Sequence, residues 1–476
     1  MPRNVLMKPI RLLALATVIA ANLLCALQAE TKLPSILGSH MVLQRNTPIT
    51  LWGWDNSGQK VNVSLGTDSA EATANDQGLW VVELKALEAG GPHKVEIKGS
   101  SSVTLDDVLI GEVWLCSGQS NMEWTVSRSL NPEEEAKNGN HPQIRHIKFP
   151  HRPSAKPEDN IPSDGWKAAT SQTVPNFTAV GYFFGRKLQA ELGVPIGLIG
   201  SNWGGTRIEP WIPPVGFKAA KNLKSIADNL DNFPVVNKDG RVNHQTPLAL
   251  YNGMIHNFRH LNFRGAIWYQ GESNRGDGML YMDKMKALIE GWRHVFDNPE
   301  MPFYFVQLAP FTYGGSELAL PEIWEAQTAT LALPHTGMAV TTDISNLRDI
   351  HPKNKQDVGK RLALWALAKT YGAKDLVYSG PLYKSHKVKG THIEIHFDHA
   401  YGKLASNDGK PLSHFQLAGE DGEFKPAVAT IEGDKLIVTS NAVAKPVHVR
   451  FGWHQLAEPN LVNGGGLPAS PFRTDK

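Results

Sequence analysis

RGAIWY (264–269), PFYFVQLA (302–309) and GMAVTT (337–342) are short apolar runs, and residues 279–296, 321–331 and 355–371 read as helices between and after them. Near-continuous apolar strands alternating with helices predict a parallel sheet covered on both faces. Upstream, 108–116 is apolar, 180–192 (VGYFFGRKLQAEL) fits a helix ending at Gly193, PIGLIG (195–200) reads as a buried strand, and 218–230 reads as helical. An α/β domain is therefore expected over 107–372. Right-handed crossovers put the carboxyl ends of its strands on one edge, where such sheets carry their active sites.

The flanks have a different texture. Residues 30–106 hold short Val-, Ile-, Leu- and Trp-rich runs such as PITLWGW, KVNVSLG and GLWVVELKA, broken by Gly, Asn and Asp. This is the spacing of a small β-sandwich. Residues 373–476 return to β patterning in HIEIHF, KLIVTS and HVRFGW. At the amino end, Arg3, Lys8 and Arg11 precede the apolar run LLALATVIAANLLCAL (12–27) and a small residue at Ala29. Residues 1–29 are read as a signal peptide, since the run is short for a membrane span. The expected destination is the periplasm or the medium. Cleavage would leave Cys116 alone and allow no intrachain disulfide.

Composition narrows the function classes. The 476 residues are 41% apolar and 20% charged, which sustains packed cores and excludes global disorder. At about 150 residues per domain, two or three domains are expected. Lys+Arg (48) nearly balances Asp+Glu (46), so there is no basic excess for holding nucleic acid. No phosphate-binding glycine loop is present. His256 and His260 are four apart but lack an accompanying HExxH or CxxC pattern, so no metal and no cofactor are expected.

Three segments carry chemistry, each just after a predicted strand. In GEVWLCSGQSNMEW (111–124) a strand runs into Ser117 and Ser120. A serine at a strand-to-helix turn can project its Oγ from the sheet edge beside a helix amino terminus; a plain helix cap is the other reading. Met122 replaces the last glycine of a GxSxG elbow. In WYQGESN (268–274), Asn274 offers an amide donor and Glu272 a base or orienting acid. In DISNLRDIHPKNK (343–355), Asp349 lies two before His351. In extended backbone these share a side, so the carboxylate can reach Nδ1 and fix the tautomer.

GQSNM, QGESN and DIHPKNK, with SNWGGTRIEPW (201–211) and GLPASPFRT (466–474), resemble the sialate O-acetylesterase family of the SGNH (GDSL-like) hydrolase superfamily. The resemblance covers nearly the whole chain beyond residue 29. It implies a three-layer α/β/α enzyme that removes O-acetyl groups from sugars without a metal. Carried over by position, Ser120 is the nucleophile, His351 the base and Asp349 its orienting acid. The superfamily's last block often places the acid three before the histidine, where Arg348 stands here, so Glu272 is the reserve acid. The oxyanion donors implied are the Ser120 N–H, Gly205 in preference to Gly204, and Asn274. Gln119, Trp203 and Arg207 are candidate substrate contacts, Arg207 for a sialate carboxylate. The expected partner is an acetylated sugar or glycan. Acetylxylan or another polysaccharide is the alternative substrate, and a non-catalytic carbohydrate-binding protein is the alternative of a different class.

Overall fold

A computed structural model describes residues 30–475; the expected signal peptide at 1–29 lies outside the described residues. Seven strands form the central sheet: β1 (Ser102–Gly118), β2 (His141–Lys148), β3 (Lys167–Ala169), β4 (Ile196–Asn202), β5 (Gly265–Tyr269), β6 (Phe303–Val306) and β7 (Thr336–Ala339). Their spatial order is β7-β6-β5-β1-β4-β2-β3. All neighbours run parallel except β3, which is antiparallel to β2. After β1 the chain builds one side of the sheet and then crosses to the other. The carboxyl end of β1 is thus the topological switch point, the crevice where open sheets bind ligands.

The helices include α1 (Ser120–Glu123), α2 (Ala179–Leu192), α3 (Leu280–Val295), α4 (Ala319–Ala329) and α5 (Lys355–Lys369). The pleat sorts them onto two faces. Trp114 pairs in register with Gly265, so it shares a face with Ile267 and Tyr269 while Trp268 points the other way. Trp114 meets Phe184 of α2, and α2 packs along α5. Trp268 meets Trp292 of α3 on the opposite face. The seventeen-residue β1 exceeds the central sheet. Its first half pairs antiparallel with Gly90–Lys98 and parallel with Val42–Gln44 of the amino-terminal β region. One strand therefore serves both regions and crosses position 107 without a break.

The carboxyl-terminal region is a seven-stranded antiparallel sheet from Leu382–Lys389 to Phe472–Arg473. It has its own core around Ile393, Ile395, Leu417, Leu436, Val438 and Phe451. Two elements depart from expectation. Residues 218–230 are not one helix but the end of the short helix Pro214–Ala219, the four-residue helix Lys224–Ala227, and 3-10 turns at Lys221–Leu223 and Leu230–Asn232. The sequence 218–230 buries only Leu223, too little apolar surface to hold a long helix to the core. Strand β2 was hidden because HPQIRHIK buries charged and polar side chains. Arg145 is covered and paired with Asp107, and His146 is covered beneath Phe177.

Candidate active site

Gly118 ends β1 at φ 130°, and a Cβ there would lie 2.2 Å from the Tyr269 carbonyl oxygen. Only glycine makes this turn. Gln119 N–H then donates to that same carbonyl at 2.9 Å, and Ser120 opens the short helix α1. No side chain caps α1, so the helix-cap reading of Ser117 and Ser120 does not hold; Ser117 is buried on β1.

Ser120 Oγ lies 2.8 Å from His351 Nε2. The imidazole is stacked on Trp124 at 4.5 Å and 15°. The same indole carries the Arg128 guanidinium 3.6 Å from its ring centre, and Trp124 Nε1 donates to the Arg128 carbonyl at 2.8 Å. Trp124 therefore fixes the plane of the histidine. Asp349 reaches His351 by a turn rather than by extended backbone. Its Oδ1 accepts the His351 backbone N–H at 2.9 Å and stands 3.6 Å from Nδ1, an electrostatic contact longer than a hydrogen bond. Burial and then the Lys355 charge lower the histidine's proton affinity, and Asp349 opposes them. The reserve acid, Glu272, makes no ion pair with His351 among the described residues. Its Oε1 accepts instead from Asn121 Nδ2 at 2.6 Å.

The candidate oxyanion donors differ in part from the sequence expectation. Gly204 N–H donates to Glu123 Oε2 at 2.8 Å and is engaged. Gly205 has φ 74°, and no acceptor for its N–H or for that of Ser120 lies within hydrogen-bonding distance among the described residues. Asn274 is not an oxyanion donor in this arrangement. Its amide donates to Glu209 at 3.0 Å and to Asp277 at 2.7 Å, while its oxygen accepts from Ile208 N–H and Gln270. All four positions of the amide are occupied. Gln119 accepts weakly from Gly271 N–H at 3.4 Å, and its Nε2 has no acceptor among the described residues.

Two expected substrate contacts are corrected. Arg207 is not a free cation: it binds Glu209 at 2.9 Å, Asp277 at 3.2 Å and the Ser273 carbonyl at 3.2 Å. With Lys284 it forms a charge-balanced cluster around Asn274. Trp203 is already stacked within the chain, with His151 at 4.4 Å and His244 at 4.5 Å. Trp211 is core, donating to Thr206 Oγ1. His256 and His260 diverge, one to Tyr251 and Asp159, the other to Trp52. Sequence reasoning missed Asn121, Glu123 and Lys355. Glu123 and Asn121 lie one to three residues beyond the serine and Lys355 four beyond the histidine, so the motifs contained them without showing which way they point.

Residues 110–368 match the family described as carbohydrate esterase, sialic acid-specific acetylesterase. The mouse sialate O-acetylesterase is 31% identical over 88% of each chain. The human sialate O-acetylesterase is 34% identical over 73% of this chain and 72% of its own. The crystal structure of a carbohydrate acetylesterase from Xanthomonas citri superposes with a TM-score of 0.86 at 40% identity, covering 94% of this chain and all of the other. Fold and relatives together define a carboxylic ester hydrolase acting on carbohydrate. The chain belongs to the sialic acid-specific acetylesterase family of carbohydrate esterases.

Proposed function

We propose that the protein is an exported serine O-acetylesterase, with O-acetylated sialic acid as its first candidate substrate and an SGNH-type core. The observation that carries the reading is the 2.8 Å contact between Ser120 Oγ and His351 Nε2 at the sheet's switch point. His351 takes the hydroxyl proton as Oγ attacks the acetyl carbonyl. The oxyanion forms against the unengaged N–H groups of Ser120 and Gly205, and Gln119 Nε2 is the available third donor. Asp349 stabilises the imidazolium by its charge. The imidazolium returns the proton to the departing sugar oxygen. Water, activated by the same histidine, then releases acetate from the acetyl-enzyme.

The substrate rests on the relatives' names. A neutral acetylated polysaccharide is the second reading, and one observation favours it: Arg207, the cation expected to meet a sialate carboxylate, is engaged within the chain. Export rests on the signal-like residues 1–29.

Acetate release from an O-acetylated sialic acid and from acetylated xylan, measured in parallel, decides between the sugars. Release from the sialate and not from xylan is expected; release from xylan alone replaces the substrate. Release from neither substrate, with none from an aryl acetate, returns the chain to the binding-protein class.

A further inference from the structure

The acyl-transfer scheme leaves a buried charged group beside it without a task. Lys355 is wholly covered, at 0% exposure. Its Nζ donates to Asn121 Oδ1 at 2.5 Å and lies 5.3 Å from the Tyr269 ring centre. The Asn121 amide donates in turn to Glu272 Oε1 at 2.6 Å and to the Ile350 carbonyl at 3.0 Å. The second Glu272 oxygen is buried with no partner among the described residues. Asn121 follows Ser120 and Ile350 precedes His351, so one amide fastens the nucleophile's turn to the base's segment. An ammonium only donates, so Lys355 dictates which end of that amide is the oxygen.

We propose that Lys355 is a positioning residue of this esterase: through Asn121 it locks the Ser120 turn to the His351 segment. The inference rests on the acyl-transfer reading above. Three charges act on the imidazole: Lys355, which opens α5, Asp349 on its own loop, and Arg128 against Trp124. Glu272, whose carboxyl is pushed up by burial, sits behind Asn121. Burial brings Lys355 down to about 7 against the opposing charges of Glu272 and Asp349. His351 is held below the ordinary histidine value of 6.5. As pH falls, Lys355 therefore takes its proton first and then resists the protonation of His351, which stays a competent base further into acid.

The test is the pH profile of kcat/KM for an aryl acetate in the wild type, Lys355→Met and Lys355→Gln, with Ser120→Ala and His351→Ala alongside. The wild-type acid limb is expected to have its midpoint below 6.5. Both neutral variants should move that midpoint upward by about half a pH unit or more. They should also lower the plateau kcat about tenfold, with KM changing less, because the loosened turn weakens an interaction made in the transition state. A merely structural lysine would lower the folded fraction and leave the midpoint in place. Lys355→Gln, polar and close in size, answers the question if Lys355→Met does not fold. An unmoved midpoint in a folded neutral variant overturns the proposal, provided that Ser120→Ala and His351→Ala are inactive. Activity in those two variants overturns the acyl-transfer reading instead.

Discussion

Asn274 sits in the expected loop with both amide hydrogens held by Glu209 and Asp277. Its replacement separates two roles. Asn274→Ala leaves the buried Glu209 and the half-buried Asp277 short of a donor, which costs about 1–3 kcal/mol of stability. The expected result is a lower melting temperature with kcat of the folded protein reduced less than about tenfold, whereas loss of an oxyanion donor costs about 10²–10³-fold. Melting curves and kcat on the same preparation read both. Residue type and strand-end position nominated Ser117, Ser120, Asp349 and His351, and the family resemblance chose Ser120 of the two serines; Ser120 and His351 lie together in the structure. The engaged or free state of a donor was not legible. It depends on partners far along the chain: Glu209 is 65 residues from Asn274, and Glu123 is 81 residues from Gly204. The choice between Gly204 and Gly205 turns on that second contact alone.

At the scale of elements, the helices on the nucleophile's face depend on a close approach. A Cβ at Gly359 of α5 would lie 2.6 Å from Phe184 N and 2.7 Å from Phe183 Cβ of α2. Because backbone cannot yield as a flexible side chain does, Gly359→Val should destabilise the protein by about 1–3 kcal/mol or more. Thermal denaturation should show the loss, and an unchanged melting temperature would contradict this packing. α5 also carries Lys355 in its first turn, so the same displacement should reduce activity in the folded fraction. Most strands and helices of the core were legible because their apolar runs match one period. β2 was not, since its burial is achieved through the Arg145–Asp107 ion pair and a covered histidine. The length of β1 was not legible either, because SVTLDDV alternates as an exposed strand and the following residues read as a buried one. Nothing in that change of texture says that the strand is continuous.

At the scale of the whole molecule, β1 joins the amino-terminal β region to the catalytic sheet, and one hydrophobic core runs from Ile36 to Leu367. The carboxyl-terminal sheet keeps a separate core. Its ties to the rest of the chain include the polar contacts of Gln455 to Phe311 and Tyr313, Glu458 to Ser345, and Arg473 to Glu325 of α4, beside the packing of Trp365 on α5 against Tyr378. Calorimetry should therefore resolve two transitions, one for the shared core and one for the carboxyl-terminal sheet. A single cooperative transition would contradict this division. The polar ties place residues 453–458 beside the segment bearing Asp349 and His351, so the smaller transition should be accompanied by loss of esterase activity. The central claim is covalent acyl transfer through Ser120. Acid-quenching the enzyme during turnover of an O-acetylated sugar, then mapping acetylated peptides, tests it most directly. The acetyl group should be found on Ser120 and vanish in His351→Ala. Steady acetate release with no acetyl on Ser120, or with acetyl on another residue, would contradict the account.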